Sequence, residues 1–159
     1  YPAGAATKAV PAPPEHASGL RGLRVEPAPD PAYPFRVISR RRNSTMNAWL
    51  ADMTDEKEGS GVAEIAHADA QQLGLEEGTQ VRVSSVVGSL DLVVRLSDEL
   101  ASGVVLIEHG WGTRVFDPVS GEVAFSSGAI RNRLVDNSVL DPFSGTPRLN
   151  GMPVKVEAI

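Results

Sequence analysis

Three polar stretches of the sequence concentrate side chains able to do chemistry. The first, SRRRNSTMNAW at 39–49, sets Ser39, Arg40, Arg41 and Arg42 beside Asn43, Ser44, Thr45 and Asn47. Guanidinium forks bind anionic oxygens bidentately, and short amides and hydroxyls read the edge of a polar ring. Three consecutive arginines cannot all face one way in an extended chain. Part of the set is therefore expected to be solvated or paired, and a purely solvated loop offsetting the DEKE run at 55–58 stays open.

The second stretch, IEHGWGTR at 107–114, places His109 between Glu108 and a Gly-Trp-Gly turn. A general base needs an orienting partner and a nucleophile, yet the only other histidines, His16 and His67, stand in unlike settings. A metal cluster is equally unsupported. Gly110 and Gly112 instead imply a tight turn or a close backbone approach to a ligand, and Trp111 offers a broad face. One wall of a ligand pocket and plain structure are the two readings left. The third stretch, 131–154, carries Asn132, Asn137 and Asn150 among the turn sequences DPFSG and NGMP. Turn formation accounts for most of these residues, and Asn132 is the one for which it is not the better reading.

These stretches hang on a pattern of short apolar runs. FRVIS and VAEIA read as strands, and HADAQQLGL as a short helix whose Ala70 and Leu73 share a face and whose Gly74 supplies a left-handed end. Residues 76–98 read as a hairpin: Val81 and Val83 alternate with polar neighbours, Gly88-Ser89 marks the turn, and Leu90, Leu92 and Val94 resume the alternation. GVVLI is a further strand, 113–148 a long loop, and MPVKVEAI the last strand. Many short strands with one or two short helices predict a mainly β fold, a closed or nearly closed barrel carrying long loops. Residues 1–34, rich in Pro and Ala, are expected to form a linker or an arm on another domain, and 35–159 the folded domain.

Composition narrows the function. At 159 residues the chain is most simply one domain, and its opening on Tyr1 agrees with a processed or excised piece. A net charge of −5 and a pI near 5.2 argue against a protein built to grip nucleic acid. The absence of Cys excludes disulfides, Cys-zinc sites, Fe–S ligation and thiol catalysis within this chain, and leaves the redox compartment open. No apolar stretch reaches the length of a membrane span, so a soluble chain is expected. Dinucleotide Gly-rich loop, P-loop, nucleophile elbow and His-Glu-x-x-His motifs are all missing, and nothing points to self-sufficient catalysis.

Taken together and in order, SRRRNSTMNAW, HADAQQLGLEEGTQVRV, HGWG and LDPFSGTPRLNGMPVKVE resemble the C-terminal, molybdopterin-dinucleotide-binding domain of the dimethyl sulfoxide reductase superfamily. The likeness is nearest to its formate-dehydrogenase-like members, whose corresponding segments run GRR…NSW, HPDDA, HGWG and LDPLSGTP, and it covers Phe35 to Ile159. The resemblance implies a double-psi β-barrel covering one of two pyranopterin guanine dinucleotides that hold molybdenum or tungsten. It implies cofactor contacts from Ser39, Arg40, Arg41, Asn43, Ser44, Thr45 and Asn47 in the first loop. His109 and Trp111 would flank the pterin or the substrate funnel, Asn132 would hydrogen-bond the pterin, and Asn150 occupies a position often polar in relatives. No catalytic residue or metal ligand is implied in this chain: the metal's protein ligand and any Fe–S cluster belong to other domains of the parent oxidoreductase, cytoplasmic or periplasmic, which are the expected partners. Two departures stand out. Ser39 replaces the family's Gly, and Ala68 replaces Pro, leaving His67 as a helix cap or surface residue. A non-enzymatic double-psi barrel that binds protein or peptide, and a small self-processing enzyme of the same barrel class, are the competing readings.

Overall fold

Alternation of apolar and polar residues shapes most of the structure. The computed structural model describes residues 30–41, 43, 60–112, 114–116, 118–125, 128–141 and 144–159. Strand β1 is Phe35–Ile38 and β2 is Val62–Ala66, followed by helix α1, His67–Leu73. The hairpin strands are β3, Gln80–Ser84, and β4, Ser89–Ser97. Strand β5 is Val104–Leu106, and β8, Met152–Ala158, ends the chain. In β3, β4 and β8 every second side chain turns inward, so Val81, Val83, Leu90, Leu92, Val94, Val154 and Val156 meet in one core.

Six strands close into a barrel in the order β1-β5-β2-β4-β3-β8. Two pairs are parallel, β1 with β5 and β2 with β4, and the rest are antiparallel. Exchanging β1, β2 and β3 for β4, β5 and β8 maps every neighbour relation onto another and one parallel pair onto the other. This internal twofold, with its two interlocked parallel crossovers, is the double-psi β-barrel.

Helix α1 ends where Gly74, at φ +66°, turns the chain left-handed. The Leu75 N–H returns to the Ala70 carbonyl at 2.9 Å and the Gly74 N–H to Gln71 at 3.3 Å, a Schellman closure. That closure swings Leu75 into the core, whereas Leu73, expected to share a face with Ala70, is 38 % exposed while Ala70 is buried. The buried partner of Ala70 on the helix is Asp69, whose carboxylate accepts the Ser102 hydroxyl and, at 2.7 Å, the Gly103 N–H. Gly103 in turn accepts the Arg36 N–H at 2.8 Å, which sets β5 beside β1. His67 makes no side-chain cap; it lies exposed and faces Asp98 at 3.1 Å.

The long segment read as loop 113–148 holds structure of its own. Strands β6, Arg114–Phe116, and β7, Val123–Phe125, form a separate two-stranded sheet. A 3-10 helix, Arg131–Leu134, follows, and Leu140 bridges to Pro147. Leu134 anchors that helix in the core.

Candidate functional site

Because β1 and β5 run parallel while β8 starts opposite Val37, the ends of β1 and β5 and the approach to β8 lie at one mouth of the barrel. Ser39 leaves β1 there and donates to the Asn150 side-chain oxygen twice, from its N–H at 3.0 Å and its hydroxyl at 3.1 Å. Gly151, at φ +73°, then lets its N–H return to the Val37 carbonyl at 2.7 Å. These bonds bring two predicted residues 111 positions apart into direct contact.

Next to them stands a charged network that the sequence reading did not single out. Glu64 on β2 pairs in register with Leu106, near the same mouth, and with Arg95 across the parallel β2/β4 contact. Arg40 donates to both Glu64 oxygens, Nη1 at 3.2 Å and Nη2 at 2.5 Å, and Nη2 also reaches Glu108 at 3.2 Å. Arg95 approaches Glu64 at 3.4 Å, and the Trp111 indole N–H donates to the other Glu108 oxygen at 3.2 Å. Both carboxylates are buried, so their charge has to be met inside the protein. Hydrogen bonding to Glu64 is the largest influence on Arg40 and raises its pKa; burial opposes this, and Glu108 adds to it. Arg40, predicted as an anion donor, is thus already committed to two carboxylates. Trp111, expected to present a broad face, is only 5 % exposed because Glu108 holds its N–H inward.

His109 lies partly buried within reach of Arg40, Arg41 and Arg131. Burial is the main cause of its lowered pKa, the charges of Arg131 and Arg41 act the same way, and a hydrogen bond with the Arg40 backbone and the charge of Glu108 oppose them. The imidazole is held towards its neutral form, suited to a fixed polar wall. Among the described residues no group of three His, Asp or Glu side chains is placed to hold a metal ion.

Arg131 opens the 3-10 helix and is 5 % exposed. Its Nη1 donates to the Leu149 carbonyl at 2.5 Å, while its Nε is buried with no acceptor, and no carboxylate among the described residues pairs with it. Desolvation alone lowers its pKa. A buried donor left unmet costs about 1–3 kcal/mol, more for a charged group. Asn132 follows it, exposed on the same helix, with its backbone carbonyl accepting from Val135 at 3.1 Å. Two glycines permit this arrangement. A Cβ at Gly112 would stand 2.6 Å from Ile130, and one at Gly128 only 2.0 Å from the Ser60 carbonyl oxygen.

The mouth therefore joins Ser39, Arg40, His109, Trp111 and Asn150, with Arg41 close enough to act on the imidazole and Asn132 beside Arg131. Asn43 lies exposed in the turn beyond Arg41, and Ser44, Thr45 and Asn47 fall outside the described residues. Glu64, Glu108, Arg95 and Arg131 are the additions. An acid breaking the apolar run VAEIA was the available signal for Glu64; nothing in RNR distinguishes Arg131 from Arg133. A cleft of about 720 Å³ lies to one side, against Arg82, Asp91, Gly112, Gly128, Ile130 and Arg133, and none of the predicted donors lines it. The donor set is rich in N–H groups and carries cationic charge beyond what its own acids neutralise, which fits an anionic ligand with many polar edges.

Comparison with known proteins gives the same direction. Residues 35–153 match the family model described as the molydopterin dinucleotide binding domain. A tetrathionate reductase chain of Salmonella typhimurium is 27 % identical over 146 residues, covering 80 % of this chain and 14 % of that protein. The alpha chain of the F420-dependent formate dehydrogenase 2 of Methanococcus maripaludis is 30 % identical over 135 residues, covering 82 % and 18 %. The molybdopterin-containing chain of the arsenate respiratory reductase of Chrysiogenes arsenatis is 31 % identical over 141 residues, covering 79 % and 16 %. Among solved structures, acetylene hydratase from Pelobacter acetylenicus superposes with a TM-score of 0.64 at 25 % identity, over 80 % of this chain and 18 % of that one. The chain spans less than a fifth of the length of each of these proteins.

Proposed function

The chain belongs to the molydopterin dinucleotide binding domain family, and from that membership we propose that its barrel mouth holds one face of a molybdopterin guanine dinucleotide in a larger molybdenum or tungsten oxidoreductase of formate-dehydrogenase-like type. The observation that carries this reading is the convergence of Ser39, Arg41, His109, Arg131, Asn132 and Asn150 at one end of the barrel. The bound group would supply the metal-centred redox chemistry. This chain's residues bind and orient: Asn132 and Asn150 read polar ring edges, His109 stands as a neutral wall, and Arg40 keeps the Glu64 and Glu108 carboxylates from facing the ligand unpaired. The remaining domains of the parent protein, with the metal's protein ligand and any Fe–S cluster, are the partners; the linker or arm expected over 1–34 falls almost wholly outside the described residues.

The test is the pterin content of the full-length parent, read as its fluorescent oxidation product, together with guanosine monophosphate released by hydrolysis and elemental analysis. Both nucleotide and pterin are expected in the purified protein. Replacing Asn132, an exposed side chain, by Ala should lower retention by about 2–10-fold, the equivalent of one neutral hydrogen bond. Parent protein lacking pterin and metal under cofactor-replete expression would sink the proposal.

A further inference from the structure

Two of the described arginines that hold carboxylates set a standard for a third that does not. Arg40 shares Glu64 and Glu108, and Arg82 forks onto Asp91 at 2.7 and 2.8 Å. Arg131 is buried more deeply than either, yet the acceptor it meets is a backbone carbonyl and its Nε has none. A guanidinium taken out of water is normally paired with an anion. The neighbouring imidazole cannot be that anion, and Arg41, exposed and near enough to act on the same imidazole, adds positive charge without an ion pair among the described residues.

The position of Arg131 is also built rather than incidental. The segment before it is pinned by Gly128, whose missing Cβ lets the chain press on the Ser60 backbone, and by the Ala129 N–H donating to Ser60 at 2.7 Å. Leu134 closes the same 3-10 helix into the core. The guanidinium is thus fixed before any ligand arrives, and binding an acceptor there costs little ordering.

We propose that Arg131, with Arg41, whose charge reaches the same imidazole, is a seat for an anionic oxygen, a site separate from the donors that read the polar ring. The inference rests on the cofactor-holding reading for one of its two sources: the oxygen belongs either to the diphosphate of the bound dinucleotide or to an anionic substrate entering the same mouth.

Inorganic pyrophosphate titrated into pterin-free full-length parent protein, followed by calorimetry, tests the seat. Wild-type apoprotein should bind it, and binding should weaken as salt rises. Arg131→Met, which keeps the apolar stem, should weaken binding roughly tenfold or more, Arg131→Lys less, and Arg41→Gln a few-fold with no change in unfolding temperature. Repeating the titration on holoprotein separates the sources. Loss of binding there, with reduced nucleotide retention in Arg131→Met, assigns the diphosphate. Persistent binding, with full nucleotide content in the variant, assigns an anionic substrate. Apoprotein that ignores pyrophosphate, or binds it equally well in wild type, Arg131→Met and Arg41→Gln, overturns the proposal. Absence of pterin from wild-type holoprotein would instead strike the cofactor reading, and the apoprotein titration would still decide the role of Arg131.

Discussion

Replacing Arg40 by Met separates a residue that supports the site from one that touches its ligand. The side chains of Glu64 and Glu108 are 9 % and 4 % exposed, and Arg40, 45 % exposed, bonds to both. Removing one member of a fully buried pair costs about 3–5 kcal/mol because the partner charge is stranded. Here the vacated position opens to water, and Arg95 at 3.4 Å and the Trp111 N–H at 3.2 Å remain. The expected loss is therefore about 1–3 kcal/mol. Urea unfolding followed by Trp emission measures it on the chain without cofactor. In a cycle with Glu64→Gln, the second substitution should cost less in the Met background than in wild type, with a coupling of about 1 kcal/mol or more.

The pH dependence of this loss follows from its sign. Glu64, above all, raises the Arg40 pKa over its already high ordinary value, so the stabilisation is fully present throughout the neutral and mildly alkaline range and vanishes only as pH rises past the still higher folded value. Between about pH 6 and pH 9 the difference between wild type and Arg40→Met should then be flat. Coupling below about 0.5 kcal/mol, or unchanged stability together with lost cofactor, would refute the supporting role and make Arg40 a direct ligand.

Two further outcomes test the mouth. His109 is pushed below its ordinary 6.5, first by burial and then by Arg131 and Arg41, so the folded chain takes up its proton less readily than the unfolded one. The stability it contributes is present above about pH 6.5 and falls as pH drops through the folded value; His109→Gln should blunt that acid loss, and Arg131→Met should raise the imidazole pKa in an NMR titration, while titration at or above 6.5 in wild type would contradict the geometry. Gly128→Ala combines φ +95° with a Cβ 2.0 Å from a backbone oxygen and should cost roughly 2–5 kcal/mol, against about 1–2 kcal/mol for Gly145→Ala, at φ +66° with open space around it; equal urea midpoints would be the contrary result.

How far the sequence could be read depended on whether a feature was local. The β3/β4 hairpin was readable because one of its faces is buried and the other wet, which writes a period of two into the residues. The end of α1 was readable because only Gly tolerates its conformation without strain. The neighbour order of the barrel was not written in the strands, since β1 meets β5 and β2 meets β4 across long stretches of chain and no local pattern records a parallel crossover; the double-psi barrel was expected from the family resemblance alone. Helical spacing put Leu73 on one face with Ala70 but could not say which residue enters the core, and the turn at Gly74 decides that Leu75 does. The small β6/β7 sheet was lost inside a segment dense in turn residues.

The site shows the same division at the level of charge. Residue types along 39–47, 107–112 and 131–150 marked an anion-friendly, polar-edged surface, but the net charge of −5 hid it. In the fold, Arg40 and Arg95 are balanced by Glu64 and Glu108, so that group of four carries no net charge towards a ligand. What remains at the mouth is Arg41 and Arg131, two cations without carboxylates among the described residues, beside an imidazole held neutral. A diphosphate bridge carries two negative charges, and the match arises only after the buried acids have been spent on the chain's own arginines. An acidic protein can therefore present a cationic mouth. Which arginines belong to it is decided by which carboxylates the barrel buries beside them, and that pairing is a property of β2, β4 and β5 meeting in space.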